Sequence, residues 1–133
     1  MADPRDELVT TLRDAGGGTL RDVWLFDETG HESLYLREDV AQRVAELDVE
    51  RYIDNERYGY VTRETWESLH YTDYEFTIRG FDEFLLYRTF LGADEARVGL
   101  MASFDTDADV DFPTVTRTLA ETADGTGIGV VAE

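Results

Sequence analysis

The apolar runs Val23-Trp24-Leu25-Phe26 and Leu34-Tyr35-Leu36 are separated by Asp27-Glu28-Thr29-Gly30. That tetrapeptide has the turn chemistry of a short hairpin, so the two runs are predicted to pair antiparallel. A helix is expected next, because Val40, Ala41, Val44, Ala45 and Leu47 recur at helical spacing behind Glu38 and Asp39. It would cover one face of the hairpin's sheet. Ahead of the hairpin, Asp3 and Pro4 form an N-cap and first-turn proline, Asp6 and Glu7 suit the positive end of a helix dipole, and Leu8, Val9, Leu12 and Ala15 make one apolar stripe. This helix should stop at Gly16. The run Gly16-Gly17-Gly18 follows a helix and lacks the Gly-Lys-Ser/Thr ending of a phosphate loop, so it reads as a helix stop.

Between Asp48 and Leu69 two helices are predicted, one carrying Val49, Tyr52 and Ile53, the other running from Thr62 to Leu69 after Tyr58-Gly59-Tyr60. From Tyr71 the period becomes two, with Tyr74, Phe76 and Ile78 alternating with polar residues up to Gly80. Phe84 to Leu91 and Arg97 to Phe104 are apolar enough to be central strands. Asp111 before Pro113 starts another helix through Val115, Leu119 and Ala123, ending near Gly125, and Ile128 to Ala132 reads as a last edge strand. Consecutive strands joined by turns give an α+β fold: one mostly antiparallel sheet of about five to six strands with helices packed on it. No repeat, proline-rich linker or low-complexity tract divides the chain, so residues 1–133 are expected to form a single domain.

The composition bears on where such a fold works. All 12 basic residues are Arg, none is Lys, and 30 are Asp or Glu, for a formal charge of −18. Lys can be exchanged for Asp, Glu or Arg without touching a core, so its absence is a whole-surface adaptation. Such a surface suits molar salt, where screening collapses to roughly 3 Å at 1 M. The chain resembles haloarchaeal proteins in this respect. With 42% hydrophobic and 12% aromatic residues it is too apolar to be a disordered acidic tail. Absence of Cys excludes disulfides, thiolate nucleophiles and Cys-based metal sites. No apolar run approaches the roughly 18 residues of a membrane span, and the N-terminus has no secretory pattern, so a cytoplasmic location is expected. The charge repels nucleic acid and anionic lipid. Arg51, Arg57 and Arg63 come nearest to a basic patch, but each has an acidic neighbour.

The order helix, two strands, helical section, three strands, helix is similar to that of roadblock domains and, more loosely, of profilin-like folds. The segment from about Asp48 to Thr72 and the C-terminal strand depart from that order. The resemblance implies a regulatory or scaffold module that dimerises, often serving a small GTPase or a sensory pathway, with no catalytic residues to carry over.

Motifs with chemistry are few. Asp105, Asp107, Asp109 and Asp111 have the spacing that opens a calcium loop, but Val110 and Thr116 stand where an EF-hand needs Gly and Glu, so a solvated loop with Asp111 as helix cap is expected. His31 should be exposed at the hairpin turn, and His70 should make a structural hydrogen bond. Ser33, Ser68 and Ser103 lack a nucleophile-elbow setting. Gly125-Thr126-Gly127-Ile128-Gly129 has no helix after it to receive a phosphate. No cofactor or metal is expected. Aromatics are concentrated instead: 11 of the 16 fall between Tyr52 and Phe90. Tyr58, Tyr60, Trp66 and Tyr71 lie in the least regular part, where amphipathic rings line an interface or pocket, and Arg79 and Arg88 on adjacent strands could meet an anion or a partner's carboxylates. An aromatic core with internal Arg–carboxylate pairs is the structural alternative. The expected function is a nonenzymatic cytoplasmic regulatory or protein-interaction module, homodimeric, with a protein partner. The alternative is a small-molecule sensory domain using an aromatic pocket with Arg79 or Arg88.

Overall fold

The computed structural model describes residues 3–92 and 97–124; the expected strand at Ile128 to Ala132 lies outside them. Helix α1 (Pro4–Gly16) begins as its sequence requires, with the Arg5 amide donating to Asp3 Oδ1 at 2.9 Å, and ends at Gly17, whose φ of 58° is open to glycine. A short 3₁₀ turn leads into β1 (Leu20–Phe26) and β2 (His31–Leu36). The hairpin turn is closed by Asp27, whose carboxylate accepts from the Thr29 and Gly30 amides. Then come α2 (Glu38–Val44), α3 (Val49–Arg57), α4 (Gly59–His70), β3 (Phe76–Gly80), β4 (Phe84–Leu91), β5 (Val98–Asp105) and α5 (Phe112–Asp124). Asp111 caps α5 as expected, accepting from the Thr114 amide at 3.2 Å and the Thr114 hydroxyl at 2.9 Å.

Among the described residues the strands form one five-stranded antiparallel sheet in the order β2-β1-β5-β4-β3. The α+β fold and its antiparallel sheet therefore follow the sequence expectation. The order places β5, the most buried strand, at the centre, and among the described residues leaves β2 and β3 as edges.

Alternation along the strands divides the side chains between two faces. Val23, Leu25, Leu100, Ala102 and Phe104 turn toward α1 and α5, where Leu8, Leu12, Val115 and Leu119 complete a dry core. Tyr87 is fully buried there, stacked on Phe112 at 5.3 Å, and its hydroxyl meets Thr116 Oγ1 at 2.5 Å. Trp24, Phe26, Leu86 and Met101 turn the other way, toward α2, α3 and α4, with Ile53 above them. Gly99, opposite Phe26 in the register, has no side chain because a Cβ there would lie 2.2 Å from the Phe26 ring.

Two register shifts modify this plan. Between Leu20 and Asp22 the β1–β5 register skips Arg21, and between Val23 and Trp24 the β1–β2 register skips Leu34. The second places Leu34 and Tyr35 together against the α1/α5 core. His31 is the first residue of β2, half-buried against Trp24 with its Nδ1 3.2 Å from Glu50, and so is not exposed at the turn as expected. The helix predicted through Leu47 ends at Val44, and Leu47 is exposed.

Candidate functional site

The segment richest in aromatics forms α3, α4 and the loop into β3. The outer side of α4 exposes large apolar side chains among polar ones such as Glu64, Thr65 and Ser68: Val61 and Leu69 are exposed, as is Tyr58 at the N-cap, and Trp66 is half-exposed, stacked on Tyr74 at 5.6 Å. The helix ends on Tyr71, the only described non-glycine residue with positive φ (59°), and its ring is 94% exposed. A left-handed backbone costs an L-residue roughly 1–2 kcal/mol, and Asn or Gly would relieve it. Glu67 holds this end in place, accepting from the Tyr74 amide at 2.9 Å and from Arg63 at 3.2 Å. The Tyr74 hydroxyl also meets Thr77 Oγ1 of β3 and the Arg88 carbonyl of β4 at 3.3 Å, so the end of α4 lies over these two strands, and β3 has no strand on its outer side among the described residues. Tyr60 differs from its neighbours. It turns inward against Phe90 at 4.8 Å, and its hydroxyl lies 3.2 Å from both the Phe26 and the Arg97 carbonyl oxygens. Desolvation pushes its phenol up to about 12.

Arg79 and Arg88 meet one carboxylate, that of Glu56 on α3. Arg88 Nη1 lies 3.1 Å from Glu56 Oε1, and Arg79 Nη2 bonds Oε2. Glu56 is 2% exposed and Arg88 6%. The α4 N-terminus can approach this centre because residue 59 is glycine: a Cβ there would lie 2.7 Å from the Arg88 guanidinium carbon. The Arg88 guanidinium also lies 5.5 Å from the centre of the Phe90 ring. The two arginines are thus internal partners of a buried carboxylate, as the alternative of internal Arg–carboxylate pairs had it.

A cleft of about 500 Å³ opens on the same side of the sheet, between β1, β5 and β4 below and α2 and α3 above. Trp24, Val40, Tyr52, Ile53 and Phe84 supply apolar walls; Arg21, Asp22 and Ser103 supply polar groups on its floor. Tyr52 is 36% exposed, yet its hydroxyl is pushed up to about 12, by desolvation first and then by the Asp22 and Glu56 carboxylates. Arg43 on α2 and Glu83 in the β3–β4 turn stand 3.9 Å apart at the rim. Sequence reasoning missed Arg21, Glu56 and Ser103. Nothing in local pattern marks one carboxylate among 30 as buried.

The acidic stretch from Asp105 serves packing. Asp105 takes a two-pronged contact from Arg37, at 2.7 and 3.0 Å, while the same guanidinium grips Asp39 at 2.7 Å and the Gly18 carbonyl at 3.0 Å. This ties the start of α2 to the end of β5. The hydrogen bond from Arg37 lowers the Asp39 carboxyl to about 2, and the two carboxylates raise the guanidinium further. Among the described residues no group of three or more His, Asp or Glu is placed to hold a metal, and no helix is long and apolar enough to cross a membrane. His70 is exposed at the end of α4.

A five-stranded antiparallel sheet in this order, with one helix pair on one face and the helical section on the other, is the roadblock-type α+β fold. Solved structures share it. The gliding protein MglB from Thermus thermophilus matches with a TM-score of 0.60 at 15% identity over 95% of each chain. MglB of Myxococcus xanthus matches with 0.61 at 12% identity, over 98% of this chain and 97% of that one. A structure described as MglB with tetrameric arrangement gives 0.50 at 17% identity over 96% and 95%. At these identities the likeness is one of fold. The chain belongs to the DUF7522 family, a domain of unknown function, whose model matches residues 6–124. No curated protein matches it by sequence.

Proposed function

We propose that this chain is a nonenzymatic, cytoplasmic regulatory module of a halophile, one domain over residues 1–133, that works by protein association. It pairs with a second copy through the β3 edge and the outer face of α4, and in that form presents a surface to a protein partner; neither nucleic acid nor membrane is involved. The observation that carries this reading is Tyr71. An almost fully exposed aromatic side chain on a left-handed backbone is unfavourable for the isolated chain, and it follows directly on α4, which also exposes Leu69 and Trp66. Strain of this kind persists where function requires it. The roadblock-type fold shared with MglB structures, one of them described as tetrameric, supports the reading. Tyr58 and Trp66 belong to this surface, whereas Tyr60, Arg79 and Arg88 support it from within. The sensory alternative built on Arg79 or Arg88 has less support, because both guanidinium groups are already engaged by the Glu56 carboxylate.

Two copies each carrying −18 repel one another, so pairing should need screening. Light scattering coupled to size exclusion should give a dimer in molar KCl and dissociation, followed by loosening of the fold, as KCl falls to millimolar levels. Tyr71→Gly should stabilise the monomer by about 1 kcal/mol through relief of the left-handed backbone, while weakening the dimer. A monomer in molar KCl for the unaltered chain, or a dimer indifferent to both Tyr71→Gly and Trp66→Ala, would sink this reading.

A further inference from the structure

The geometry points to a ligand site in the cleft between the sheet and α2–α3, which binds a small aromatic monocarboxylate with its carboxylate on Arg21 and its ring among Trp24, Tyr52 and Phe84. It is independent of the pairing surface on α4 and β3.

In regular alternation Arg21 would point to the same side as Val23 and Leu25, into the α1/α5 core. The register skip between Leu20 and Asp22 inserts Arg21 as an extra residue and turns it with Asp22 toward the cleft. Bulges of this kind re-aim a side chain and are over-represented beside functional sites. Arg21 then lies with its guanidinium 4.3 Å from the centre of the Phe84 ring and Nη1 3.5 Å from Ser103 Oγ.

What is absent around that guanidinium is a carboxylate. In a chain with 30 acidic residues against 12 arginines, no described Asp or Glu lies within ion-pair distance of Arg21. Its neighbour Asp22 is occupied elsewhere, accepting from Trp24 Nε1 at 3.1 Å, the Ser103 amide at 3.1 Å and the Ser103 hydroxyl at 2.5 Å. A half-buried cation stacked on an aromatic ring, in a largely apolar cleft and without a direct ion pair among the described residues, is a site for an anion that brings its own apolar body.

The rest of the cleft narrows the class. Its volume of about 500 Å³ is that of a small-molecule site. Three aromatic side chains line it, which favours a planar ring over a flexible chain. The Tyr52 phenol is protonated at neutral pH, and burial only raises it further, so it can donate to the ligand and adds no negative charge. With Arg21 as the one cation on the floor, Asp22 beside it and Glu46 and Glu83 at the rim, the cleft tolerates at most one added negative charge and disfavours a phosphate dianion. The Arg43–Glu83 pair at the mouth is long and exposed, so it opens at little cost.

The test uses the full chain in molar KCl. In Trp66→Phe, Trp24 is the single tryptophan, and its fluorescence reports on the cleft. Titration with 3-phenylpropanoate, phenylacetate and indole-3-acetate, the last read by calorimetry, should give saturable binding by at least one acid. The matching alcohol, 3-phenylpropan-1-ol, should bind at least about tenfold more weakly, as loss of a charge-assisted contact implies. Arg21→Gln should show the same loss with its circular dichroism unchanged. Val44→Phe, which fills the cleft and leaves Arg21 in place, should abolish binding. The inference is overturned if none of the three acids binds saturably, or if acid and alcohol bind alike. It also fails if a folded Arg21→Gln or Val44→Phe binds as the parent does.

Discussion

The two faces of the sheet are built on different principles. The face under α1 and α5 is closed by aliphatic and aromatic side chains, with a buried Tyr87–Thr116 hydrogen bond as its main polar contact. The face under α2, α3 and α4 holds a smaller apolar cluster, a buried Glu56 shared by two arginines, a cleft, and a helix that exposes Val61, Trp66 and Leu69. One side is arranged for packing density. The other carries charge, space and exposed rings, which stabilise little and are useful for recognition. The sheet thus separates the part of the molecule that keeps it folded from the part that can meet something else.

That division can be broken by mutation, and the largest effect belongs to the dry face. Phe104→Ala should cost about 3–5 kcal/mol in urea unfolding under molar KCl, whereas Trp24→Ala, whose ring borders the cleft, should cost less. Equal losses would remove the distinction between the faces.

Next in size is the buried ion cluster. Glu56→Gln leaves the Arg88 guanidinium buried without its counter-charge and should cost about 3 kcal/mol, while the double change Glu56→Met with Arg88→Met should recover most of it. If the double variant is as unstable as the single one, packing and not charge explains Glu56. The smallest effect lies at the exposed start of α2. Arg37→Gln should return the Asp39 carboxyl from about 2 toward its ordinary 3.8, read by carboxyl-carbon NMR. Because folding lowers this carboxyl, its stabilisation is complete above the ordinary value and is lost as pH falls toward 2. Molar KCl should shrink the difference.

Much of the fold was legible because it is local. The hairpin, the caps at Asp3 and Asp111 and the helices over α3 and α4 follow from spacing and turn chemistry within a few residues. The bulges at Arg21 and Leu34 were not, since register depends on a partner strand up to about 80 positions away, and neither residue is unusual in a strand. For the same reason Arg21 looked like one more charged surface position. Glu56 was hidden by number: a buried carboxylate has no local signature in so acidic a chain. Tyr71 carries a left-handed helix end without the Gly or Asn that usually announces one. The aromatic segment stands out in the sequence, but its rings divide between inside and outside according to the pitch of α4, with Tyr60 inside and Tyr58 outside.

The bulge at Leu34 bends the outer edge β2, and Arg37 and α2 follow at once, while the β3–β4 register at the opposite edge runs without a shift. A second copy docked along β3 would occupy the one straight edge and leave two bent ones outside. Growth by strand addition then ends after a single step, however concentrated the protein becomes. The count of copies in such an assembly is fixed by one extra residue in a strand at the far end of the sheet.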